Sequence, residues 1–221
     1  MPGDSKPFVI PADDRTLISA ITEERFAKYV ERCTGDRTAA LRLYTWNTAA
    51  SAAFYGPLQA VEVTLRNAVN QKLGRALGQR WFERSPLMRA NELRMANEAI
   101  NTLKTRGTEP TPGRVVAELS LGFWTGLFAN AYDQNLWRQH LHLIVTPRRR
   151  RPDLFDDLDR LRTLRNRIAH HEPIHQRDLK ADNDRVVRVL TGFNVAMMAW
   201  VSHHSRIPAV LGTRPHDLTS F

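Results

Sequence analysis

The stretch Asp153–His175, DLFDDLDRLRTLRNRIAHHEPIH, decides how the rest of the chain is read. At roughly 100° per residue, Leu154, Leu158, Leu161, Ile168 and Ala169 fall on one stripe. That is the pattern of an amphipathic helix with one face in a core. Arg165 falls in the middle of the same stripe. A guanidinium enters an apolar setting only beside a carboxylate or a phosphate, or at an interface. Asn166 and His170 are neighbours on an adjacent flank, and Arg162 lies one turn before Asn166. Pro173 has no N–H, clashes with the carbonyl four residues back, and pushes Glu172 away from the helical region. The helix is therefore predicted to stop near His171.

That stop separates two chemical patterns. HEPIH, read from His171, matches H-E-x-x-H, in which two histidines one turn apart hold zinc and the glutamate poises over bound water. Pro173 interrupts the required helix, so His171 and His175 need not share a face. His140, His142, His203 and His204 are remote in sequence, and none is an evident third ligand. The other pattern, Arg165-x4-His170, lies before the stop. Basic residues in a last turn also complement the helix macrodipole. On helix physics alone an ordinary helix end accounts for these residues somewhat better than a site does.

Outward from this stretch, the chain reads as helix after helix. TEERFAKYVERC has Thr22 as cap and Phe26, Tyr29, Val30 and Cys33 at helical spacing. A helix is predicted from Asp36, punctuated at Gly56-Pro57. It resumes with Leu58, Val61, Leu65, Val69 and Leu73 on one stripe. LMRANELRMANEAINTLK is helical. Thr111 caps a further helix with Pro112 at its first position. The aromatic-rich segment from Ser120 to Val145 is predicted helical with a split near Tyr132–Asp133, and its FWTGLF run, like Trp200, is predicted to be core. TPRRRRPD is a turn, and a last helix runs from about Asp184 to His204. No alternating strand run and no internal repeat is present. The fold class is all-α, a helical bundle in a single domain. Residues 1–21 read as a loose N-terminal arm, 22–212 as the domain and 213–221 as a C-terminal tail.

The 221 residues carry 32 Lys and Arg against 23 Asp and Glu, a net charge of +9. That excess points to a polyanionic partner, since clustered cations displace counterions from phosphates. The alternative is a basic surface that aids solubility. A single cysteine, Cys33, excludes an internal disulfide and fits a reducing compartment. The N-terminus lacks the pattern of a signal peptide. The longest apolar run, Val195–Val201, is far too short for a membrane span. A cytoplasmic protein with no membrane partner is expected.

The segment LRTLRNRIAHHEPIHQRDL strongly resembles the corresponding segment of Abi-like proteins. These are a bacterial family linked to abortive phage infection, within the HEPN superfamily of α-helical ribonucleases. LRLYTWNTAASAAFYGPLQAVEVTLRNAVNQKL, PTPGRVVAELSLGFWTGLF and the closing AWVSHHSRI resemble the same family in the same order. The resemblance covers nearly everything after about residue 22. It implies a HEPN-like bundle with additional helices and a metal-independent endoribonuclease with no cofactor. Its Arg–polar–His signature falls on Arg165, Asn166 and His170, with His171 satisfying a five-residue spacing. His170 is preferred because it neighbours Asn166. The resemblance further implies a homodimer in which two motifs face one cleft. RNA is the implied substrate, and an antitoxin or regulatory RNA an implied further partner. A catalytically silent RNA-binding or interaction module of the same fold is the alternative. A DNA-binding regulator is weaker, because no helix-turn-helix signature is evident.

Supporting residues follow. Glu62 and Arg66 sit one turn apart: either they form a surface ion pair worth about 0.3–0.5 kcal/mol, or Glu62 holds Arg165 in place. Arg148, Arg149, Arg150 and Arg151 read either as a solvated turn or as an RNA-phosphate contact. Arg162 is a further candidate RNA contact.

Overall fold

Helix-favouring segments become helices here because each has an apolar face to bury. The computed structural model describes residues 15–84 and 87–215, and no strand occurs among them. Ten α-helices follow in order: α1 Arg15–Ile21, α2 Glu23–Arg32, α3 Arg37–Leu77, α4 Ala90–Thr105, α5 Pro112–Glu118, α6 Leu121–Gly126, α7 Arg151–Ala169, α8 Leu179–Phe193, α9 Val195–His204 and α10 Ile207–Gly212. The fold is all-α, as the sequence pattern implies.

The axis of the molecule is α3, with 41 residues and a length of roughly 60 Å at 1.5 Å per residue. Asp36 caps it, its carboxylate accepting from the Ala39 N–H at 3.0 Å. The helix does not break at Gly56-Pro57, where a punctuation was expected. An internal proline costs about 3 kcal/mol. Both flanks offset that cost, because Ala50, Ala53 and Phe54 before it and Leu58, Val61, Leu65, Val69 and Leu73 after it are all buried. Around α3 pack α2, α6, α7, α8, α9 and α10.

The FWTGLF segment is core, with Phe123, Trp124, Leu127 and Phe128 fully buried beside Trp81 and Phe82. The aromatic-rich segment divides more finely than one split: after α6 come a 3₁₀ turn at Asn130–Tyr132, a π turn at Asp133–Trp137 and a 3₁₀ turn at Leu141–Ile144. The Tyr132–Asp133 boundary is real. The helix expected from about Asp184 to His204 is two helices. Asn194 is extended, and its side chain accepts from the Met197 N–H at 2.9 Å, starting α9 afresh. Trp200, expected in the core, is 59% exposed. Helix α9 is apolar nearly all round, so one face must stay out, and Val201 takes the buried one.

The ends of the domain also shift. Arg15–Ile21 is helical, and Ile18 is buried, so the expected loose arm is already part of the fold by this point. The rest of that arm, residues 1–14, lies outside the described residues. At the other end Arg214 donates to the His175 carbonyl at 3.0 Å and lies over Trp46, so the domain runs past 212. Residues 216–221 of the expected tail lie outside the described residues. No described helix is long and apolar enough to cross a membrane.

Candidate functional site

Helix α7 ends as Pro173 requires, and the manner of its ending builds the site. His170 is the C-cap. His171 follows in the left-handed region at φ 56°. The Glu172 N–H reaches back to the Arg167 carbonyl at 2.7 Å and the His171 N–H to the Ile168 carbonyl at 3.0 Å. This is the paired-bond ending that normally recruits glycine at the left-handed position. Histidine pays strain there. What it gains is a direction: the chain turns, and the His171 side chain is carried to the mouth of a groove. The Arg25 guanidinium of α2 donates to the His171 carbonyl and ties this turn to the rest of the fold.

The groove lies between α3 and the end of α7 and has a volume of about 760 Å³. From α3 it is lined by Thr48, Ser51, Ala52, Tyr55, Leu58, Gln59, Glu62, Val63 and Arg66; from α7 and its cap come Arg165, Ile168, Ala169 and His171. Most of the α3 contributors follow the three-or-four-residue step of one helix face. The lining is mostly apolar and small, with Arg66 and Arg165 as its two guanidiniums. Tyr55 is 67% exposed, an unusual posture for a tyrosine on an otherwise core-forming helix.

Arg165 is not in the core. The buried face of α7 is Leu154, Leu158, Leu161 and Leu164, while Ile168 is half-buried and Ala169 exposed. Arg165 is 39% exposed on the groove side of that face, its Nε 3.5 Å from Glu62 Oε2. Leu164 and Arg165 stand about 100° apart around the helix, so Leu164 takes the buried side while Arg165 is left partly exposed beside Glu62. Of the two roles open to Glu62, the structure shows the contact to Arg165, and no Glu62–Arg66 ion pair forms among the described residues.

Thus Arg165, His171, Glu62 and Arg66 come together, and Asn166, His170 and Arg162 do not line the groove. His170, preferred from sequence, is exposed one turn after Asn166, and it is His171 that lines the groove. Arg162 is engaged by Asp159 at 2.7 Å. The basic run divides as well. Arg151 is buried, bonded to Asp133 at 3.1 Å, the Phe128 carbonyl at 2.8 Å and Asn130 at 3.0 Å. Arg149 pairs with the buried Asp157 at 2.8 Å. These two guanidiniums hold the fold together and are not free for phosphate. Arg150 is exposed and pairs with Asp153, and Arg148 is exposed.

The H-E-x-x-H spacing is not realised on a helix. His171 is at the groove, whereas His175 is fully buried against Tyr29, ring centroids 4.8 Å apart. Neither ring nitrogen of His175 has a hydrogen-bond partner among the described residues. Burial, with the nearby charges of Arg214 and Arg32, pushes its pKa down to about 4. Among the described residues no three His, Cys, Asp or Glu side chains cluster as a metal would require.

Sequence reasoning missed Tyr55, Gln59, Ser51 and Thr48. The available signal was a polar and small-residue face on α3 that adjoins its Leu58–Leu73 stripe. A second groove was missed too, of about 450 Å³, walled by Ala20, Ile21, Arg25, Tyr29, Tyr44, Asn47 and Glu172 and sharing Thr48, Ser51, Ile168 and His171 with the first. Fold and site together define an all-α domain with an arginine–histidine groove. Compared with known proteins, the chain matches no family model, no curated protein and no solved structure.

Proposed function

We propose that the protein is a metal-independent endoribonuclease of the antiphage-defence or toxin type, with Arg165 and His171 at its centre. The observation that carries this reading is their convergence on one open groove, reinforced by Arg66 and by Glu62 beside Arg165. An arginine held in a groove lining by one partly exposed carboxylate keeps donors to offer a phosphate.

The chemistry needs no further group. The 2′-hydroxyl oxygen of RNA attacks the adjacent phosphorus while its proton passes to a base. The bond from phosphorus to the 5′ oxygen breaks, and that oxygen takes a proton from an acid. The strand ends in a 2′,3′-cyclic phosphate, and the other fragment begins with a 5′-hydroxyl. Histidine has an ordinary pKa near ~6.5 and serves either proton role near neutrality. Arg165 and Arg66 balance the charge that grows on the phosphorane oxygens. One groove holds one such histidine and the reaction has two proton transfers, so a second copy of the chain supplies the second in a composite dimer site. RNA is the substrate, the cytoplasm is the setting, and an antitoxin or regulatory RNA is a further partner.

The test is cleavage of a structured RNA such as tRNA in EDTA, by wild type and by Arg165→Ala. Cleavage that resists EDTA and is lost in the variant, with its melting temperature kept within a few degrees, supports the reading. Equal cleavage by both proteins contradicts it. Binding without cleavage by either protein leaves the silent RNA-binding module of the same fold.

A further inference from the structure

His171 stands where two grooves meet. The larger lies between α3 and α7; the smaller lies between α1, α2 and the first half of α3. Thr48, Ser51, Ile168 and His171 belong to both, so the two adjoin at the imidazole. Their volumes, about 760 and about 450 Å³, both fall within the ~300–1,000 Å³ range of small-ligand sites. Their linings differ. The larger has a mostly apolar and small-residue lining, with the exposed Tyr55 and two guanidiniums. The smaller has the tyrosines Tyr29 and Tyr44, packed edge to face at 5.1 Å, with Asn47 and Arg25. Glu172 is its only carboxylate, and it lies 3.9 Å from the Arg167 guanidinium.

We propose that the smaller groove is a second nucleotide subsite, so that an RNA strand crossing His171 places one nucleotide in each groove with the scissile phosphate between them. This rests on the ribonuclease reading of the larger groove and adds to it the length of strand that is recognised. Cleavage inside a strand requires a nucleotide on both sides of the phosphate, and a site walled on one side only would hold one of them. Arg25 makes the second wall cationic, and its bond to the His171 carbonyl fixes that wall to the catalytic turn. A base in the smaller groove meets the half-buried Tyr44, with the buried Tyr29 behind it and Asn47 held in place by the Ile174 and His175 N–H groups. Ala20 and Ile21 of α1 close the far side. Ala20 is exposed and touches only this groove, so it reports on the subsite without entering the catalytic machinery.

The test is a titration of wild type, Ala20→Trp and Ala20→Asp with two probes, followed by calorimetry. One probe is uridine 3′-monophosphate; the other is a uridine dinucleotide whose first sugar lacks the 2′-hydroxyl and so cannot be cut. Wild type is expected to bind the dinucleotide at least tenfold more tightly than the mononucleotide. Ala20→Trp fills the smaller groove and Ala20→Asp repels a phosphate there, so both should abolish that advantage while leaving mononucleotide affinity within twofold. A tenfold advantage that survives both substitutions overturns the subsite, as does equal binding of the two probes by wild type. If wild type binds neither probe, the nucleotide reading of the larger groove fails and this proposal falls with it, an outcome distinct from the other two.

Discussion

Two histidines four residues apart serve opposite ends. His171 is exposed, in a backbone conformation that glycine would adopt without strain. His171→Gly is expected to raise the melting free energy by about 1 kcal/mol while removing cleavage, so a gain in stability should accompany a loss of activity in the same variant. Denaturant unfolding beside an RNA assay reads both. His175 is buried, and its pKa is pushed from the ordinary value near ~6.5 down to about 4. The unfolded chain therefore binds a proton that the folded chain refuses between those two pH values. The stabilisation by neutral His175 is fully present above about pH 6.5 and is lost as pH falls toward 4, on the order of 3 kcal/mol in all. His175→Phe keeps a ring against Tyr29 and should flatten this part of the stability–pH curve. An unchanged slope in that variant would assign the acid sensitivity to other groups. Pro173 allowed the sequence to show that the two histidines part company, but not which of His170 and His171 would face the groove. That choice rests on the left-handed turn, whose energy is a balance of strain and tertiary contact that no local pattern records.

At the scale of elements, legibility tracked whether a signal was local. The cap at Thr22 and the helix start at Asp36 were read correctly, because in each the side-chain bond lies within three residues. The stripe Leu58–Leu73 was read correctly because its period is intrinsic to the helix. Pro57 misled, since a proline's cost is local while the burial that outweighs it is contributed by α2, α8 and α10 across the core. The α8–α9 break was missed because Asn194 is polar without being an obvious stop, yet its side chain and extended backbone make the joint. Asn194→Ala should cost about 1 kcal/mol through the lost cap, measured by denaturant midpoint, with α9 amides exchanging faster than those of α8. Equal protection along both helices in the variant would show that packing alone holds α9. The α3 face that lines the groove was hidden for a related reason: Tyr55, Gln59 and Ser51 become a site only because the end of α7 is brought opposite them.

For the whole molecule, the net charge of +9 overstates what is free to meet RNA. Arg149, Arg151, Arg177 and Arg185 are spent on Asp157, Asp133 and Asp182 in the interior, and Arg162 and Arg160 on neighbours along α7. Among the described residues, Arg66, Arg165 and Arg25 are the arginines that line the two grooves. Binding of a single-stranded RNA should therefore weaken with salt as a few phosphate contacts would, at roughly 0.7 in logarithmic slope for each. Arg66→Ala should reduce that slope by about 0.7, whereas Arg148→Ala should leave it unchanged. Fluorescence anisotropy over a salt series measures both, and a large loss of slope with Arg148→Ala would move the RNA path to the other face. The single most direct measurement compares cleavage of tRNA in EDTA by wild type, His171→Ala and His170→Ala under single-turnover conditions. The geometry predicts a loss of about 10²-fold or more for His171→Ala and a change of no more than a few fold for His170→Ala. Full activity in His171→Ala, with activity lost in His170→Ala, would contradict the assignment of this groove as the site of reaction.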